Sequence, residues 1–151
     1  MRRRRDAAPA VRRQLRKAWA RVAEPLPSAL ARAVQSRLLT EYSVYGPRRR
    51  LHLAPTAQVN DALFNLVSGE VVVGEWAYFG HGVMVLTGTH DITKFGRDRQ
   101  DPSPQSGRDV HIGEGVWLAS RVTVLGPCRI GAHAVVAAGS LVTPMLRPTP
   151  S

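Results

Sequence analysis

Among the five histidines of this 151-residue chain, His90 occupies the position best suited to chemistry. It ends a regular apolar pattern and is followed by a segment rich in proline and charged residues, residues 91–111. A neutral imidazole can accept the proton of a hydroxyl group while the oxygen attacks a carbonyl carbon. Long loops in compact domains are usually functional or disordered. His90, beside a long loop, is therefore the leading candidate for such proton-transfer chemistry.

The other histidines and the single cysteine are weaker candidates. His81 and His133 fall at turn positions, His52 precedes the regular pattern, and His111 closes the loop and is the main competitor of His90. Cys128 falls at a position expected to be buried, where a cysteine behaves as a small apolar residue rather than as a nucleophile. A histidine at a turn is most often only a polar surface residue, so the prediction for His90 depends on the coincidence of pattern and loop.

A large apolar residue returns at every sixth position from Leu53 onward. A two-residue insertion after Val59 and the segment 91–111 interrupt this period. Each six residues of such a pattern predict one short strand and one turn, and three units close a three-sided coil with the large side chains inside. The repeat positions are Leu53, Val59, Val67, Val73, Phe79, Val85, Ile112, Leu118, Val124, Ile130, Val136 and Val142. They predict a parallel β-helix of about four coils.

This pattern, from residue 53 to about residue 143, resembles the hexapeptide-repeat acyltransferases. Gly88-Thr89-His90-Asp91 is similar to the motif that carries the catalytic base in sugar and antibiotic acetyltransferases of that family. The resemblance implies an all-β fold, a left-handed parallel β-helix, to which this chain adds an N-terminal α-helical extension. It also implies transfer of an acetyl or other acyl group from CoA to a hydroxyl of a sugar or glycan, with acetyl-CoA as co-substrate and no metal.

Two further motifs imply binding residues by the same resemblance. Phe64-Asn65-Leu66 resembles a segment of galactoside acetyltransferases whose asparagine contacts the acceptor, so Asn65 is expected to bind the acceptor, with Asp61 as a weaker candidate. Residues 115–120 resemble a segment whose tryptophan lies at a subunit boundary and whose strand follows the pantetheine arm of CoA. The residues implied to contact CoA are Trp117, Ala119, Ser120, Ala138, Gly139 and Thr143. Turns alone would also require the small residues among them.

The resemblance implies a homotrimer with an active site between neighbouring β-helices. After Thr143 the sequence departs from the family, because the closing segments that contribute to the CoA site are missing. This departure favours an alternative, a catalytically inactive β-helix that serves as a scaffold or partner subunit. A zinc enzyme similar to the γ-class carbonic anhydrases is a third possibility, but the histidines lack the paired spacing that such a site requires.

The net charge of +10 is concentrated near the N-terminus. Apolar residues at spacings of three and four among arginines predict a basic amphipathic helical extension over residues 1–46, interrupted by Pro25 and Pro27, with Ser28 as the N-cap of its second helix. Three roles are open: helices that cap the first coil, helices that bind an anionic membrane surface, or nucleic-acid binding, the last being disfavoured by the lack of interleaved aromatic residues.

The remaining predictions concern domain limits and location. Residues 47–143 are expected to form the acyltransferase domain, and residues 144–151 a disordered tail. No run of apolar residues is long enough to span a membrane, no secretory signal is recognised, and a single cysteine fits a reducing compartment. The protein is therefore expected in the cytoplasm, with a peripheral membrane location if the basic extension binds lipid.

Overall fold

A computed structural model describes residues 25–101 and 103–143. The chain divides into two compact units after Leu38. In the described ranges, no helix combines the length and the apolar character that a membrane span needs. The predicted tail 144–151 and the first part of the predicted basic extension, residues 1–24, lie outside the described residues.

Helix α1 extends over Pro25–Thr40. It begins three residues before Ser28, so the predicted N-cap role of Ser28 is wrong. Proline is tolerated in the first turn of a helix because the backbone N–H groups there have no partner within the helix. The apolar side chains of Leu30, Val34 and Leu38 are exposed.

All strands after α1 are two or three residues long, as a hexapeptide period requires. They are β1 Ser43–Tyr45, β2 Leu51–Leu53, β3 Leu63–Asn65, β4 Val71–Val73, β5 Tyr78–Phe79, β6 Met84–Leu86, β7 Val110–Ile112, β8 Trp117–Leu118, β9 Thr123–Leu125, β10 Cys128–Ile130, β11 Val135–Val136 and β12 Leu141–Val142. A 3-10 helix, Arg48–Arg50, precedes β2, and a short helix α2, Gly96–Gln100, lies between β6 and β7.

These strands form three parallel sheets. Sheet A has the order β1-β3-β6-β9-β12, sheet B the order β10-β7-β4-β2, and sheet C the order β11-β8-β5, extended by a bridge from Gln58 to Tyr78. The chain visits sheets A, B and C in rotation, so each sheet grows by one parallel strand when the chain returns to it. This confirms the predicted parallel β-helix, and the arrangement fits the left-handed form of the repeat.

Eight of the twelve predicted repeat residues are buried inside the β-helix, together with residues outside the predicted set. In sheet A, the central residues Val44, Phe64, Val85 and Val124 lie in one register and point inward. Among the repeat positions, Val59, Val73, Phe79, Val85, Ile112, Leu118, Val124 and Ile130 are buried. Burial of one such side chain contributes about 1.5–3 kcal/mol relative to exposure.

One predicted core position, Val67, is wrong. Val67 is only half-buried, and Phe64 takes the place in sheet A that pairs with Val85. The extra residues are therefore accommodated after β3, in the connection 66–70, rather than before it. Phe64 is fully buried and its ring contacts those of Tyr42 and Phe79, which explains why the chain places the larger side chain inside.

The extruded loop connects β6 of sheet A with β7 of sheet B, over residues 87–109. The same connection needs only residues 66–70 between β3 and β4, and residues 126–127 between β9 and β10. The predicted end of the loop at His111 is wrong by two residues, because Val110 and His111 belong to β7 and pair with β4.

Candidate active site

A pocket of about 410 Å³ opens where sheet A meets the extruded loop. Its floor comes from residues at the ends of neighbouring strands, since Tyr45 of β1 and Asn65 of β3 lie in register. Its other walls come from the turn after β3 and from the loop. The lining residues are Tyr45, Asn65, Val67, Gly88, Thr89, His90, Gln100 and Ser103. Two predicted site residues, His90 and Asn65, therefore share one pocket.

His90 is exposed and has a defined orientation in the pocket. Its Nδ1 atom lies 3.0 Å from the carbonyl oxygen of Arg99 and 3.4 Å from Oγ of Ser103. A carbonyl oxygen can only accept a hydrogen bond, so the shorter contact requires the proton on Nδ1. The lone pair is then on Nε2, which is the atom that can take a proton from a hydroxyl group.

The loop begins with a tight turn directly after His90. Oδ1 of Asp91 accepts hydrogen bonds from the hydroxyl and the backbone N–H of Thr93, at 2.6 and 3.0 Å. These hydrogen bonds, together with attraction from Lys94, hold the pKa of the Asp91 carboxyl below its ordinary value. The negative charge of Asp91 is thus balanced by groups of the loop itself, Thr93 and Lys94.

Asn65 is held by the backbone around it. Its backbone carbonyl accepts hydrogen bonds from the N–H and the hydroxyl of Thr87, at 2.9 and 2.8 Å. Its side-chain Oδ1 accepts from the N–H of Val67 at 3.1 Å. Within the described ranges, the side-chain amide nitrogen of Asn65 donates to no partner, so this nitrogen remains available to an acceptor oxygen.

Gly88 permits this placement of Asn65. A Cβ atom at residue 88 would lie 2.6 Å from the amide nitrogen of Asn65 and 2.8 Å from its Oδ1. Real Cβ atoms do not approach other atoms so closely, and a larger residue at this position would therefore displace the Asn65 side chain.

Asp61 does not line the pocket. Its Oδ1 lies 3.2 Å from Nδ1 of His81 and accepts from the N–H of Gly82 at 3.0 Å. Desolvation raises the pKa of Asp61, but the hydrogen bonds from Gly82 and His81 outweigh it, so the pKa is lowered overall. The contacts of Asp61 are therefore with the turn before β6 rather than with the pocket residues.

Five of the six residues implied to bind CoA, all except Trp117, lie at two edges of sheet A. Ala119 and Ser120 precede β9, and Ala138 and Gly139 precede β12, whereas Thr143 follows β12. Because the strands of sheet A are parallel, the first four lie at the edge where strands begin, and Thr143 lies at the edge where they end. His90, four residues after β6, belongs to the latter edge.

Trp117 lies on sheet C, in β8, two residues before Ala119. It is 40% exposed, and its ring stacks on that of Tyr78 with 5.8 Å between the centroids. Tyr78, Trp117 and Val135 are paired in register and all three are exposed. The outer face of sheet C is thus apolar and aromatic.

The other candidate reactive residues, His111 and Cys128, lie outside the pocket. His111 is the central residue of β7 and pairs with Val72 and Arg129 on the outer face of sheet B. Cys128 packs against the core, and burial raises the pKa of its thiol. In the part of the chain that the structure describes, no three His, Cys, Asp or Glu side chains come together as a metal site.

Sequence reasoning missed several lining residues of the pocket. Tyr45 belongs to β1, which precedes the first recognised repeat and lies within the stretch assigned to the helical extension. The triplet Ser43-Val44-Tyr45 carries the same central apolar residue as β3 and β6, and this weak signal was the only one available. Gln100 and Ser103 come from the loop, whose path has no periodic signal at all.

Comparisons with known proteins agree with this architecture. Residues 109–144 match the family model described as bacterial transferase hexapeptide, six repeats. Serine acetyltransferase 2 of Arabidopsis thaliana is 38% identical over 113 residues, which are 75% of this chain and 31% of that protein. The galactoside O-acetyltransferase of Lactococcus lactis subsp. lactis (strain IL1403) is 34% identical over 102 residues, which are 68% of this chain and 47% of that protein.

A putative serine acetyltransferase of Schizosaccharomyces pombe is 35% identical over 94 residues, and no solved structure matches significantly. The chain thus spans less than half the length of these curated relatives. The match to the repeat model, the similarity to these acetyltransferases and the three parallel sheets confirm the resemblance seen in the sequence: residues 109–144 carry the hexapeptide repeat of bacterial transferases, within a β-helix whose sequence is similar to these acetyltransferases.

Proposed function

We propose that this protein is an acyltransferase that moves an acetyl or other acyl group from CoA to a hydroxyl of a sugar or glycan, with His90 as the general base. The observation that carries the proposal is the orientation of His90 in the pocket. Its Nδ1 is engaged by the Arg99 carbonyl at 3.0 Å, so Nε2 is left to accept a proton beside Asn65.

The reaction needs only these groups and correct positioning. Nε2 of His90 takes the proton of the acceptor hydroxyl while the oxygen forms a bond with the carbonyl carbon of the thioester. The C–S bond then breaks, and the imidazolium returns the proton to the leaving sulfur, which yields an ester and free CoA thiol. General-base catalysis of this kind contributes about 10²–10⁴-fold, and alignment of the two substrates contributes the rest.

The acceptor binds in the pocket through Asn65, whose side-chain amide nitrogen can donate a hydrogen bond to an acceptor oxygen. Tyr45 borders the same pocket and is 66% exposed, so its ring offers an apolar surface to the carbon face of a sugar. The names of the relatives specify a galactoside and serine as acceptors. A pocket with an exposed tyrosine at its rim favours the galactoside, which is the larger of these two acceptors.

Acetyl-CoA binds along the small residues that precede β9 and β12. Ser120, Ala138 and Gly139 are exposed, and a Cβ atom at Gly139 would meet nothing within 4 Å. Among the described residues, the backbone N–H groups of Ser120 and Ala138 donate to no partner. An open strip of small residues with two available N–H groups suits the amide-containing pantetheine arm, which needs donors and little steric bulk.

The active site is shared between copies of the chain in a homotrimer. Within one copy, the strip that binds CoA and the pocket of His90 lie at opposite edges of sheet A. A three-residue strand separates these edges by about 10 Å. A neighbouring copy can bring its own strip to the pocket, and the exposed aromatic face of sheet C, including Trp117, supplies an apolar contact surface for that neighbour.

The proposal also includes the handedness of the β-helix and its number of coils. The β-helix is left-handed and has about four coils, as in the acyltransferases that it resembles. A cytoplasmic location, and the contact of residues 1–46 with a membrane surface, stay predictions from the sequence.

Replacement of His90 by alanine tests the catalytic role. His90→Ala is expected to lower kcat at least about 100-fold, because the acceptor hydroxyl loses its base, while the affinity for acetyl-CoA stays nearly constant. Release of free CoA thiol against a panel of sugars and serine measures kcat, and calorimetry measures the affinity. His111→Ala is the matched control, since His111 lies outside the pocket, and it should retain activity.

The non-catalytic alternative makes an opposite prediction. A scaffold would show no heat and no thermal shift with acetyl-CoA at millimolar concentration, and no thiol release with any acceptor. Binding of acetyl-CoA together with a His90-dependent turnover would exclude the scaffold alternative.

A further inference from the structure

We propose that Arg99 is a positioning residue, which holds the extruded loop so that its own backbone carbonyl keeps His90 in the catalytic tautomer. The inference rests on the proposed function for its kinetic consequence, but the tautomer itself can be measured without activity. The side chain of Arg99 ties the loop together, and its carbonyl orients the imidazole.

The Arg99 side chain bridges three points of the loop. Its Nε donates to the carbonyl of Lys94 at 2.5 Å, and one terminal nitrogen donates to the carbonyl of Ile92 at 3.4 Å. The guanidinium also lies over the ring of Phe95, 5.0 Å from the centroid. A guanidinium can do all three at once because it is planar and carries several donors in a fixed geometry.

Asp91 holds only the start of the turn that Arg99 closes, through its hydrogen bonds to Thr93 and its ion pair with Lys94. The part that carries the Arg99 carbonyl has little other support. Helix α2 is only five residues long, none of its residues is buried, and Phe95 at its N-cap makes no side-chain capping hydrogen bond. Ile92 and Phe95 are 83% and 79% exposed. Burial therefore contributes little to the loop conformation, and the contacts of Arg99 contribute a large share of the order around its own carbonyl.

The identity of the atom opposite Nδ1 decides which nitrogen of His90 acts as the base. The Arg99 carbonyl can only accept, so its hydrogen bond at 3.0 Å requires Nδ1–H. The Ser103 hydroxyl at 3.4 Å can donate as well as accept. If the carbonyl moved away, Ser103 could donate to Nδ1, and the proton would then sit on Nε2, where it blocks base catalysis.

Nitrogen NMR of the full chain with labelled histidine tests the proposal directly, at a pH at which the imidazole is neutral. The signals of His90 are assigned by their loss in His90→Ala. The wild type is expected to show Nδ1–H as the dominant tautomer of His90. Arg99→Ala should convert it into a mixture with a substantial Nε2–H population, and Arg99→Lys should give an intermediate result, because an ammonium cannot reproduce the planar fork.

Two matched variants control for general effects on the loop. Arg97→Ala removes an arginine from the same helix, whose side chain makes no hydrogen bond or ion pair with the described residues, and should leave the tautomer unchanged. Ser103→Ala removes the competing donor and should keep Nδ1–H dominant. The same shift in Arg97→Ala as in Arg99→Ala, or a wild-type tautomer in Arg99→Ala, would overturn the proposal.

Kinetics then separate this inference from the function on which it rests. Arg99→Ala should lower kcat in proportion to the lost Nδ1–H population, about twofold if half of it is lost and about tenfold if nine-tenths is lost, with KM for acetyl-CoA within about twofold. A tautomer shift in a protein that lacks acyltransferase activity would support the role of Arg99 and contradict the proposed function. An unchanged tautomer in Arg99→Ala, in a protein that does have acyltransferase activity, would support the proposed function and contradict the role of Arg99.

Discussion

His90 acquires its proposed role from partners that are distant in the sequence. An exposed histidine on a turn would normally be free to rotate and to exchange tautomers. Here the Arg99 carbonyl, nine residues later, contacts Nδ1, and Asn65 lines the same pocket although it lies one strand earlier in sheet A. The proposed chemistry is therefore a property of the arrangement of residues rather than of the imidazole alone.

At this scale, Gly88 offers a sharp test of the acceptor site. Gly88→Ala would place a Cβ atom 2.6 Å from the amide nitrogen of Asn65, so the Asn65 side chain must move. We expect KM for the acceptor to rise about tenfold or more, because a directed hydrogen bond is lost, while the thermal midpoint changes little. Acceptor titrations at saturating acetyl-CoA measure this effect.

Gly131→Ala is the control for Gly88→Ala. A Cβ atom at residue 131 would meet nothing within 4 Å, and Gly131 lies outside the pocket. It should behave as the wild type. An unchanged acceptor KM in Gly88→Ala would contradict the role assigned to Asn65.

At the scale of elements, the β-helix and the loop have separate roles: the β-helix forms the core, and the loop forms part of the pocket. Short strands and connections such as 66–70 and 126–127 build the core, whereas residues 87–109 make a connection that needs far fewer residues elsewhere. Arg108 closes the base of the loop, since its Nε donates to the Thr87 carbonyl at 3.0 Å and its N–H to the Ser68 carbonyl at 3.1 Å. The loop can therefore be shortened above this closure without disturbing the sheets.

Replacement of residues 91–107 by a short glycine-serine linker tests this division. The circular dichroism spectrum and the thermal midpoint should stay close to those of the wild type, because no core residue is removed. Turnover should fall at least about 100-fold, because the Arg99 carbonyl, Gln100 and Ser103 are lost together. A control with only Ile92→Ser keeps the loop length and should remain active. Unfolding of the shortened protein would show that the loop stabilises the β-helix.

At the scale of the whole molecule, the proposed site is complete only between copies. His90 and the residues expected to bind CoA before β9 and β12 lie at opposite edges of sheet A. The aromatic pair Tyr78 and Trp117 forms an exposed apolar face, which a neighbouring copy would remove from water. Both features favour association between copies, and the family resemblance implies a ring of three.

Complementation between variants tests the shared site. His90→Ala and Ala138→Trp should each be inactive, the first without a base and the second with its CoA strip obstructed. Mixed trimers refolded from equal amounts should recover about a quarter of the wild-type activity, because about one interface in four combines two intact halves. Light scattering should give a mass of three chains for each protein. No recovery from mixed trimers, or an active Ala138→Trp, would contradict the arrangement.

The sequence by itself determined the period, the class of fold and the position of the loop. Whether a side chain of a six-residue unit points inward depends on its place within that unit, so Val85, Leu118 and Val124 could be assigned to the core from spacing alone. The run of polar residues after His90 likewise interrupts this local pattern, so the position of the loop could also be predicted from the sequence. Val67 was misassigned because two phases of the repeat meet at the connection 66–70, and spacing cannot tell on which side of a strand extra residues lie.

Only the tertiary structure decided which residues meet in the pocket. Tyr45 and Asn65 become neighbours through the strand register of sheet A, and the Arg99 carbonyl reaches His90 through the path of an aperiodic loop. Asp61, close in sequence to Asn65, instead pairs with His81 at a different turn. These contacts depend on the closure of coils and loops over long sequence separations, and no local pattern of residue types encodes them.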